Sequence, residues 1–239
     1  MNCISTMNRI TLSTDIVMNL IKLYQFKGKE FHYIDVFKSN FKKINEDTIE
    51  QDAYYLSKIF NSPLTDHKLK LIISKNSTPK NKDEIFVYNI KKSIEYIQKR
   101  THEFMLETNE VIDMAKFMFK DYKTIELSNN YQPTFGSNLF EKKTKTSRDD
   151  LDKLLEKFNL MLNSKDYEFT LLICNFYIDF INMKIFKKYN EEIGLMLIYC
   201  IMLKEGFNLF KYASFYQVYF TVNAPKSQYK TAQPQQVTP

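Results

Sequence analysis

Apolar residues recur every three or four positions along most of this chain, a spacing that places them on one face of an α-helix. The first segment of this kind spans 15–27, where Ile16, Leu20, Leu23 and Tyr24 share a face and Gly28 follows. The same spacing predicts helices at 31–41, 46–60, 68–74, 83–100, 108–119, 151–162, 168–183 and 191–204. The pattern therefore predicts an all-α fold.

Two of the predicted helices carry enough apolar residues to indicate which side is buried. In the helix at 83–100 the predicted buried positions are Ile85, Tyr88, Ile90, Ile94 and Ile97. In the helix at 191–204 the predicted central positions are Leu195, Leu197, Ile198, Ile201 and Met202. We expect Asn190 to be the N-cap of this last helix, because Asn suits a cap and Glu191 and Glu192 suit the first turn.

Three stretches depart from the helical pattern. Residues 76–82 read as a polar loop, and 123–145 is the least helical region, with short strands or a flap expected around 125–127, 134–135 and 139–140. The tail at 223–239 is rich in Pro, Gln, Ser and Thr, so we predict that it is disordered. We expect an N-terminal extension at 1–14, one domain at 15–222 and the disordered tail.

Composition narrows the class of protein. With 239 residues, 44% of them hydrophobic and 26% charged, the chain is long enough for one well-buried globular domain. No segment has the basic start and apolar core of a signal peptide. The longest uncharged apolar run, 193–203, is shorter than the ~20 residues that span a bilayer. We therefore expect a cytoplasmic protein that does not cross a membrane.

The distribution of charged and metal-binding residue types argues against two further classes. The net charge of +6 comes almost wholly from lysine, since Arg9, Arg100 and Arg148 are the three arginines, which disfavours a nucleic-acid-binding protein. Neither the histidines nor the cysteines have metal-ligand spacing. We expect no metal site. The histidines and cysteines of the chain are His32, His67, His102, Cys3, Cys174 and Cys200. We expect Cys174 and Cys200 to be buried free thiols.

The segment 183–195, Met-Lys-Ile-Phe-Lys-Lys-Tyr-Asn-Glu-Glu-Ile-Gly-Leu, lies between the two most apolar helices. It resembles the nucleotide-transfer motif I-H-P-F-x-D-G-N-G-R-x-x-R of the Fic (Fido) domain family, with Phe186 and Asn190 on matching positions. Elsewhere it departs from the motif. The catalytic histidine is replaced by Lys184, the acidic metal ligand by Lys188, the glycines by Tyr189 and Glu191, and the arginines by Glu192 and Leu195.

Other landmarks of the family occur in the same order. The segments at 23–29, 79–88 and 206–214 resemble family patterns, and 56–61 resembles the inhibitory helix, with Ser57 and Asn61 matching and Phe60 in place of the regulatory glutamate. The resemblance implies a Fic-like helical domain with a small β-flap near 123–140. N-terminal helices would span 15–75 and the Fic core 76–222.

The replacements predict that the motif is inert. In the family the histidine takes a proton from the target hydroxyl, whereas a lysine such as Lys184 ordinarily holds its proton to about pH 10.4. A glycine-rich turn before a helix binds phosphate through exposed backbone N–H groups. Tyr189 and Glu191 place side chains there, Glu191 and Glu192 would repel phosphate, and Lys188 would oppose Mg²⁺.

We therefore expect a catalytically inactive Fic-like protein that binds no cofactor and acts by binding another protein. The partner could also be a second copy of the chain, in a homodimer. The alternative is a Fic-type adenylyltransferase with an altered site that uses ATP with Mg²⁺ and lysines as phosphate ligands or as a nucleophile. A third reading, a lysine-rich nucleic-acid-binding protein, ranks last. The nucleotide-binding candidates are Lys184, Phe186, Lys187, Lys188, Asn190 and Gly194.

Overall fold

A computed structural model describes residues 3, 4, 7, 11–36, 38–128 and 147–223 of the chain. In these residues the regular structure is helical, which confirms the all-α prediction. The helices are α1 (Thr14–Gly28), α2 (Glu30–Val36), α3 (Phe41–Ile59), α4 (Asp66–Ile73), α5 (Lys82–Arg100), α6 (Thr108–Met118), α7 (Ser147–Ser164), α8 (Phe169–Met183), α9 (Asn190–Lys204) and α10 (Phe215–Asn223), with short 3-10 segments at Lys38–Asn40 and Asn208–Lys211.

The boundaries of two elements differ from those predicted. The continuous helix expected at 31–41 is wrong, because the chain forms α2, then the 3-10 turn at Lys38–Asn40, and then α3 from Phe41. Ser and Asn compete with the helix for backbone hydrogen bonds, which explains the break. α10 (Phe215–Asn223) was not expected. The predicted disordered tail lies outside the described residues, apart from the end of α10.

α9 is the central element of the core. Ten of its fifteen residues are buried, so it has no polar face between its ends. It packs against α5, α8 and the 3-10 segment at Asn208–Lys211. Of the positions expected to be central, Leu195, Leu197, Ile201 and Met202 are buried, and Ile198 is half-buried.

The buried face of α5 is rotated from the predicted one near its start. Ile90, Ile94 and Ile97 are buried as expected, but Ile85 and Tyr88 are half-buried, and the fully covered residues of the first turns are Phe86 and Val87. The helix begins at the N-cap Asn81, whose side chain accepts a hydrogen bond from the Glu84 backbone N–H at 2.9 Å. This cap fixes the start of the helix and hence the direction in which Phe86 points.

Two helices far apart in the sequence, α3 and α10, meet at a buried carboxylate. Asp52, on α3, is fully buried, and its Oδ1 accepts hydrogen bonds from Ser214 Oγ at 2.6 Å and from the Tyr216 backbone N–H at 3.1 Å. Burial raises the pKa of Asp52 to about 7, against smaller opposing effects of these hydrogen bonds. The pairing holds α10 against α3.

Residues from the expected N-terminal extension lie on the domain. The Asp179 carboxylate of α8 accepts hydrogen bonds from the backbone N–H groups of Cys3 at 2.7 Å and Ile4 at 2.9 Å. Ile4 is buried in the core. These contacts fix the position of the first described residues against α8.

Two other expectations concern single residues and helix length. Cys200 is a buried free thiol whose pKa is raised by burial to about 12, but Cys174 is exposed, so its predicted burial is wrong. Cys174 lies on the outer side of α8, where an apolar sequence continues beyond the buried stripe. Across the described ranges, no helix combines the length and apolar character that a membrane crossing needs.

Candidate functional site

The loop between α8 and α9, residues 184–189, is the part of the molecule that corresponds to the motif segment. Glu168 is the N-cap of α8, and its carboxylate accepts hydrogen bonds from the backbone N–H groups of Thr170 at 3.0 Å and Leu171 at 2.7 Å. The helix ends where Lys184 adopts the left-handed conformation, with φ of 49°. This turn directs the chain away from the helix axis.

The first part of the loop turns inward. Ile185 and Phe186 are both buried, and the Phe186 ring lies 6.3 Å from that of Phe180, centroid to centroid. Phe186, a nucleotide-binding candidate from the sequence, is therefore part of the hydrophobic core.

Asn190 holds the loop closed. Its Oδ1 accepts a hydrogen bond from the Phe186 backbone N–H at 2.9 Å, and its Nδ2 donates to the Phe186 carbonyl at 2.7 Å. The predicted role of Asn190 as N-cap is wrong, because Tyr189 occupies the cap position in the left-handed conformation and Asn190 is the first residue of α9. The side chain of Asn190 reaches back to the loop, so the helix starts without a side-chain cap.

An extended segment pairs with the outer edge of the loop. Leu127 and Phe186 form an isolated antiparallel bridge, in which the Ser128 N–H donates to the Ile185 carbonyl at 2.8 Å and the Lys187 N–H donates to the Glu126 carbonyl at 3.0 Å. The expected strand at 125–127 is thus a single bridge beside the loop. The strands expected at 134–135 and 139–140 lie outside the described residues.

Five aromatic rings form a chain of contacts that runs from the end of α3 to the loop, and we call them the aromatic row. The ring centroids of Phe60 and Phe86 are 6.1 Å apart, those of Phe86 and Phe119 are 5.2 Å apart, and those of Phe119 and Tyr189 are 4.6 Å apart. The Tyr122 ring stacks on that of Phe86, with centroids 4.4 Å apart. In order, the row consists of Phe60, Phe86, Phe119 and Tyr189, with Tyr122 against Phe86.

The aromatic row joins two segments that the sequence singled out separately. Phe60 and Tyr189 lie at the two ends of the row, and Phe86 and Phe119 fill the space between them. Phe119 is fully buried and Phe86 nearly so. Rings at these separations pack in van der Waals contact, so the space between the end of α3 and the loop is occupied by side chains.

The remaining residues of the inhibitory-helix segment have local structural roles. Ser57 is fully buried, and its Oγ donates to the Ala53 carbonyl at 2.7 Å. Asn61 follows the end of α3 in the left-handed conformation, with φ of 52°, and lets the chain turn towards α4. Among the described residues, neither Ser57 nor Asn61 forms a hydrogen bond with the α8–α9 loop.

The three lysines among the candidates lie on the outside of the loop. Lys184, Lys187 and Lys188 are all exposed. Lys187 forms an ion pair and hydrogen bond with Glu126, and this contact lowers the pKa of the Glu126 carboxyl. The lysine side chains therefore face solvent, and none of them has a recorded contact with the aromatic row in the described part of the chain.

Two acids occupy the first turn of α9. Glu191 is exposed, whereas Glu192 is half-buried. Burial raises the pKa of the Glu192 carboxyl, with a smaller contribution in the same direction from the charge of Glu191. Both side chains place negative charge at a helix start, where a bound anion would otherwise be favoured.

Gly194, the last candidate, has a packing role that the sequence did not reveal. A Cβ atom built on it would lie 2.9 Å from the Tyr177 ring and 3.3 Å from the Phe180 ring. Real Cβ atoms do not approach other atoms so closely. A larger residue would force the Tyr177 ring to move, so glycine lets α8 and α9 lie in close contact at this point.

Some residues of the site could not be found from the sequence. Phe86, Phe119 and Tyr122 were absent from the candidates, and the signal that could have pointed to Phe86 is its position within the segment 79–88. No group of three or more His, Cys, Asp or Glu side chains suited to a metal ion occurs in the part of the chain that the structure describes.

Comparison with known proteins found no match: no protein-family model fits the chain, and no curated protein matches its sequence.

Proposed function

We propose that this chain is a Fic-like helical protein that lacks nucleotide transfer activity and acts by binding another protein. The observation that carries the proposal is the aromatic row, which fills the space between the loop and the end of α3. In the family that the sequence resembles, a glycine at the position of Tyr189 leaves room for phosphate. Here the Tyr189 ring lies 4.6 Å from that of Phe119.

The hydrogen bonds of the loop also support the absence of a phosphate site. Anion-binding loops use backbone N–H groups that have no acceptor within the protein. The N–H of Phe186 donates to Asn190, and that of Lys187 donates to the Glu126 carbonyl. A phosphate bound through these two N–H groups would have to displace both acceptors, and it would also meet the negative charges of Glu191 and Glu192.

A second surface supports the protein-binding part of the proposal. In α1, all of whose residues are described, none is buried, although the helix carries several large apolar side chains. Phe31 and Val36 on α2 are 83% and 60% exposed, and Phe26 at the end of α1 is 52% exposed. Several large apolar side chains exposed on two consecutive helices are typical of a protein interface.

Nucleotide binding tests the first part of the proposal. We expect the melting temperature to be unchanged by ATP, GTP or CDP-choline with Mg²⁺, whereas a ligand at 100 times its Kd would stabilise the fold by about 2.7 kcal/mol. Incubation with labelled nucleotide and lysate should give no label transfer. The control is Lys153→Ala, a substitution of an exposed lysine on α7. If label transfer occurs, is lost in Lys184→Ala and is kept in Lys153→Ala, the chain is instead a transferase with an altered site.

A site-specific photo-crosslinker tests the second part. With the crosslinking residue at Phe31, we expect one discrete adduct with a protein from the native cells, and with the same residue at the exposed Lys99 of α5 we expect none. Sedimentation of the purified chain separates a homodimer from a different partner. Equal, diffuse labelling from the two positions would contradict the assignment of this surface.

A further inference from the structure

A cavity of about 360 Å³ lies beside the α1–α2 turn. It is bordered by the end of α1, by α2, by the start of α3 and by the 3-10 segment at Asn208–Lys211. Its walls are mainly apolar, with three aliphatic side chains and four aromatic rings, those of Phe26, Tyr33, Phe41 and Tyr212. Phe26 is 52% exposed and the other three aromatic residues are half-buried, so a ligand can reach these walls from solvent.

The one carboxyl group in the wall is closed to a ligand. Glu30, the first residue of α2, is 5% exposed, and its Oε1 is covered by the protein. Its carboxylate accepts hydrogen bonds from the Leu209 backbone and the Asn208 side chain, which hold it against the 3-10 segment. Burial raises the pKa of Glu30, and the charges of Lys27 and Lys211 oppose this rise, but neither lysine lines the cavity. Charges of both signs therefore lie behind the wall, and the surface that a ligand would touch is apolar.

The volume and the apolar walls limit the kind of molecule that fits. A protein cavity of about 150 Å³ with apolar walls takes up benzene. The cavity beside the α1–α2 turn is roughly twice as large, so it has room for two fused rings, or about 10–12 carbon atoms. A charged group that entered this space would lose its water and find no hydrogen-bonding partner in return. The cavity therefore suits an uncharged ligand.

We propose that this cavity binds a small uncharged hydrophobic compound with a body of about two fused rings. The ligand packs against the rings of Phe41 and Tyr212, which meet edge to face with centroids 4.0 Å apart. It fills space that the neighbouring side chains leave open, and it covers the apolar surface of Phe26 and Tyr33. Binding therefore ties α1 and α2 to the start of α3. The proposal rests on the cavity alone and does not depend on the proposed function.

A matched series of probes tests the size and the charge of the ligand. The probes are 2-naphthalenemethanol, benzyl alcohol, which has one ring fewer, and 2-naphthoate, which carries a charge. By calorimetry with the full chain, we expect 2-naphthalenemethanol to bind about tenfold more tightly than benzyl alcohol, because its second ring buries more apolar surface. We also expect it to bind at least about tenfold more tightly than 2-naphthoate, whose carboxylate would have to lose water.

Amide exchange shows where the probe binds. The backbone N–H groups of His32 and Tyr33 both donate to the Lys29 carbonyl, at 3.0 Å and 3.3 Å, in the α1–α2 turn. Saturating 2-naphthalenemethanol should slow the exchange of these two amides. The Val111 amide, which donates to the Glu107 carbonyl at 3.1 Å at the start of α6, should exchange at an unchanged rate.

Two variants that each add one ring separate this site from nonspecific binding. Ile44→Phe places the ring in the cavity wall and should weaken the binding of 2-naphthalenemethanol at least about tenfold. Val36→Phe places it at a position of α2 that is 60% exposed and outside the cavity, and should leave the affinity unchanged. If Ile44→Phe does not fold, the exchange rates in the unmodified chain still decide. No binding of 2-naphthalenemethanol, equal affinity for 2-naphthoate, equal slowing of the Val111 amide, or full affinity in Ile44→Phe would overturn the proposal.

Discussion

Replacing the buried Asp52 by asparagine should change how the stability of the fold depends on pH. Asparagine has the same size and keeps an oxygen that can accept from Ser214 Oγ and the Tyr216 backbone N–H. It removes the ionisable group. The other carboxylate oxygen, Oδ2, has no hydrogen-bond partner in the described residues. The substitution replaces this oxygen by the amide NH₂ group.

The magnitude follows from the pKa. Burial raises the pKa of Asp52 to about 7 in the folded chain, whereas the pKa of an exposed aspartate is about 3.9. Between these two values the folded state holds a proton that the unfolded state has released, so the free energy of unfolding falls as the pH rises. At about 1.4 kcal/mol for each tenfold change in proton affinity, the loss is on the order of 4 kcal/mol by pH 8. A domain of this size is commonly stable by about 5–15 kcal/mol in total.

Urea unfolding from pH 4 to pH 8 measures the effect. We expect the wild-type curve to fall across this range and the Asp52→Asn curve to fall much less, so that the variant is the more stable of the two at pH 8. Other buried carboxyls such as Glu30 contribute the same slope to both proteins and cancel in the difference. Asp47→Asn, at an exposed position of α3, is the control. Parallel curves for wild type and Asp52→Asn would refute the reasoning.

Three further substitutions test the packing around the α8–α9 loop by urea unfolding and amide exchange. Gly194→Ala should destabilise the fold by about 1–3 kcal/mol, because the added Cβ would meet the Tyr177 ring. The control Gly28→Ala, whose added Cβ would have no other atom within 4 Å, should be neutral or stabilising. Equal effects of the two substitutions would contradict the close contact of α8 and α9 at Gly194. Asn190→Ala should cost about 1–3 kcal/mol and speed exchange of the Phe186 amide, and unchanged exchange would show that the loop closes by other means. Asp179→Ala should remove protection of the Ile4 amide while leaving that of α9 in place, and retained protection would contradict the anchoring contact.

The positions of most helices could be predicted because apolar spacing reports burial directly. α9 fits this rule even though it lacks a polar face, since its apolar run is too long for a strand. α10 could not be found in this way. Its nine residues, Phe-Tyr-Gln-Val-Tyr-Phe-Thr-Val-Asn, are rich in aromatic and β-branched types, which favour strands, and packing against α3 overrides that preference.

The sequence singled out Phe60 and Tyr189 separately, and the structure places them at the two ends of the aromatic row. Contact between them depends on Phe86 and Phe119, which come from two other helices, and no local pattern connects four segments. Asn190 illustrates the limit at a single residue: its type suits a cap, but the left-handed turn at Tyr189 moves the cap one residue earlier.

The contact between Asp52 and α10 has a consequence for how the chain is made. Tyr216 follows Asp52 by 164 residues, so the ribosome completes α3 long before its partner helix exists. During that interval Asp52 is hydrated and ionised, and the face of α3 that α10 covers is open to water. This contact therefore forms only after the 164 intervening positions have been made, when the arrival of α10 dehydrates the carboxylate and favours its protonated form.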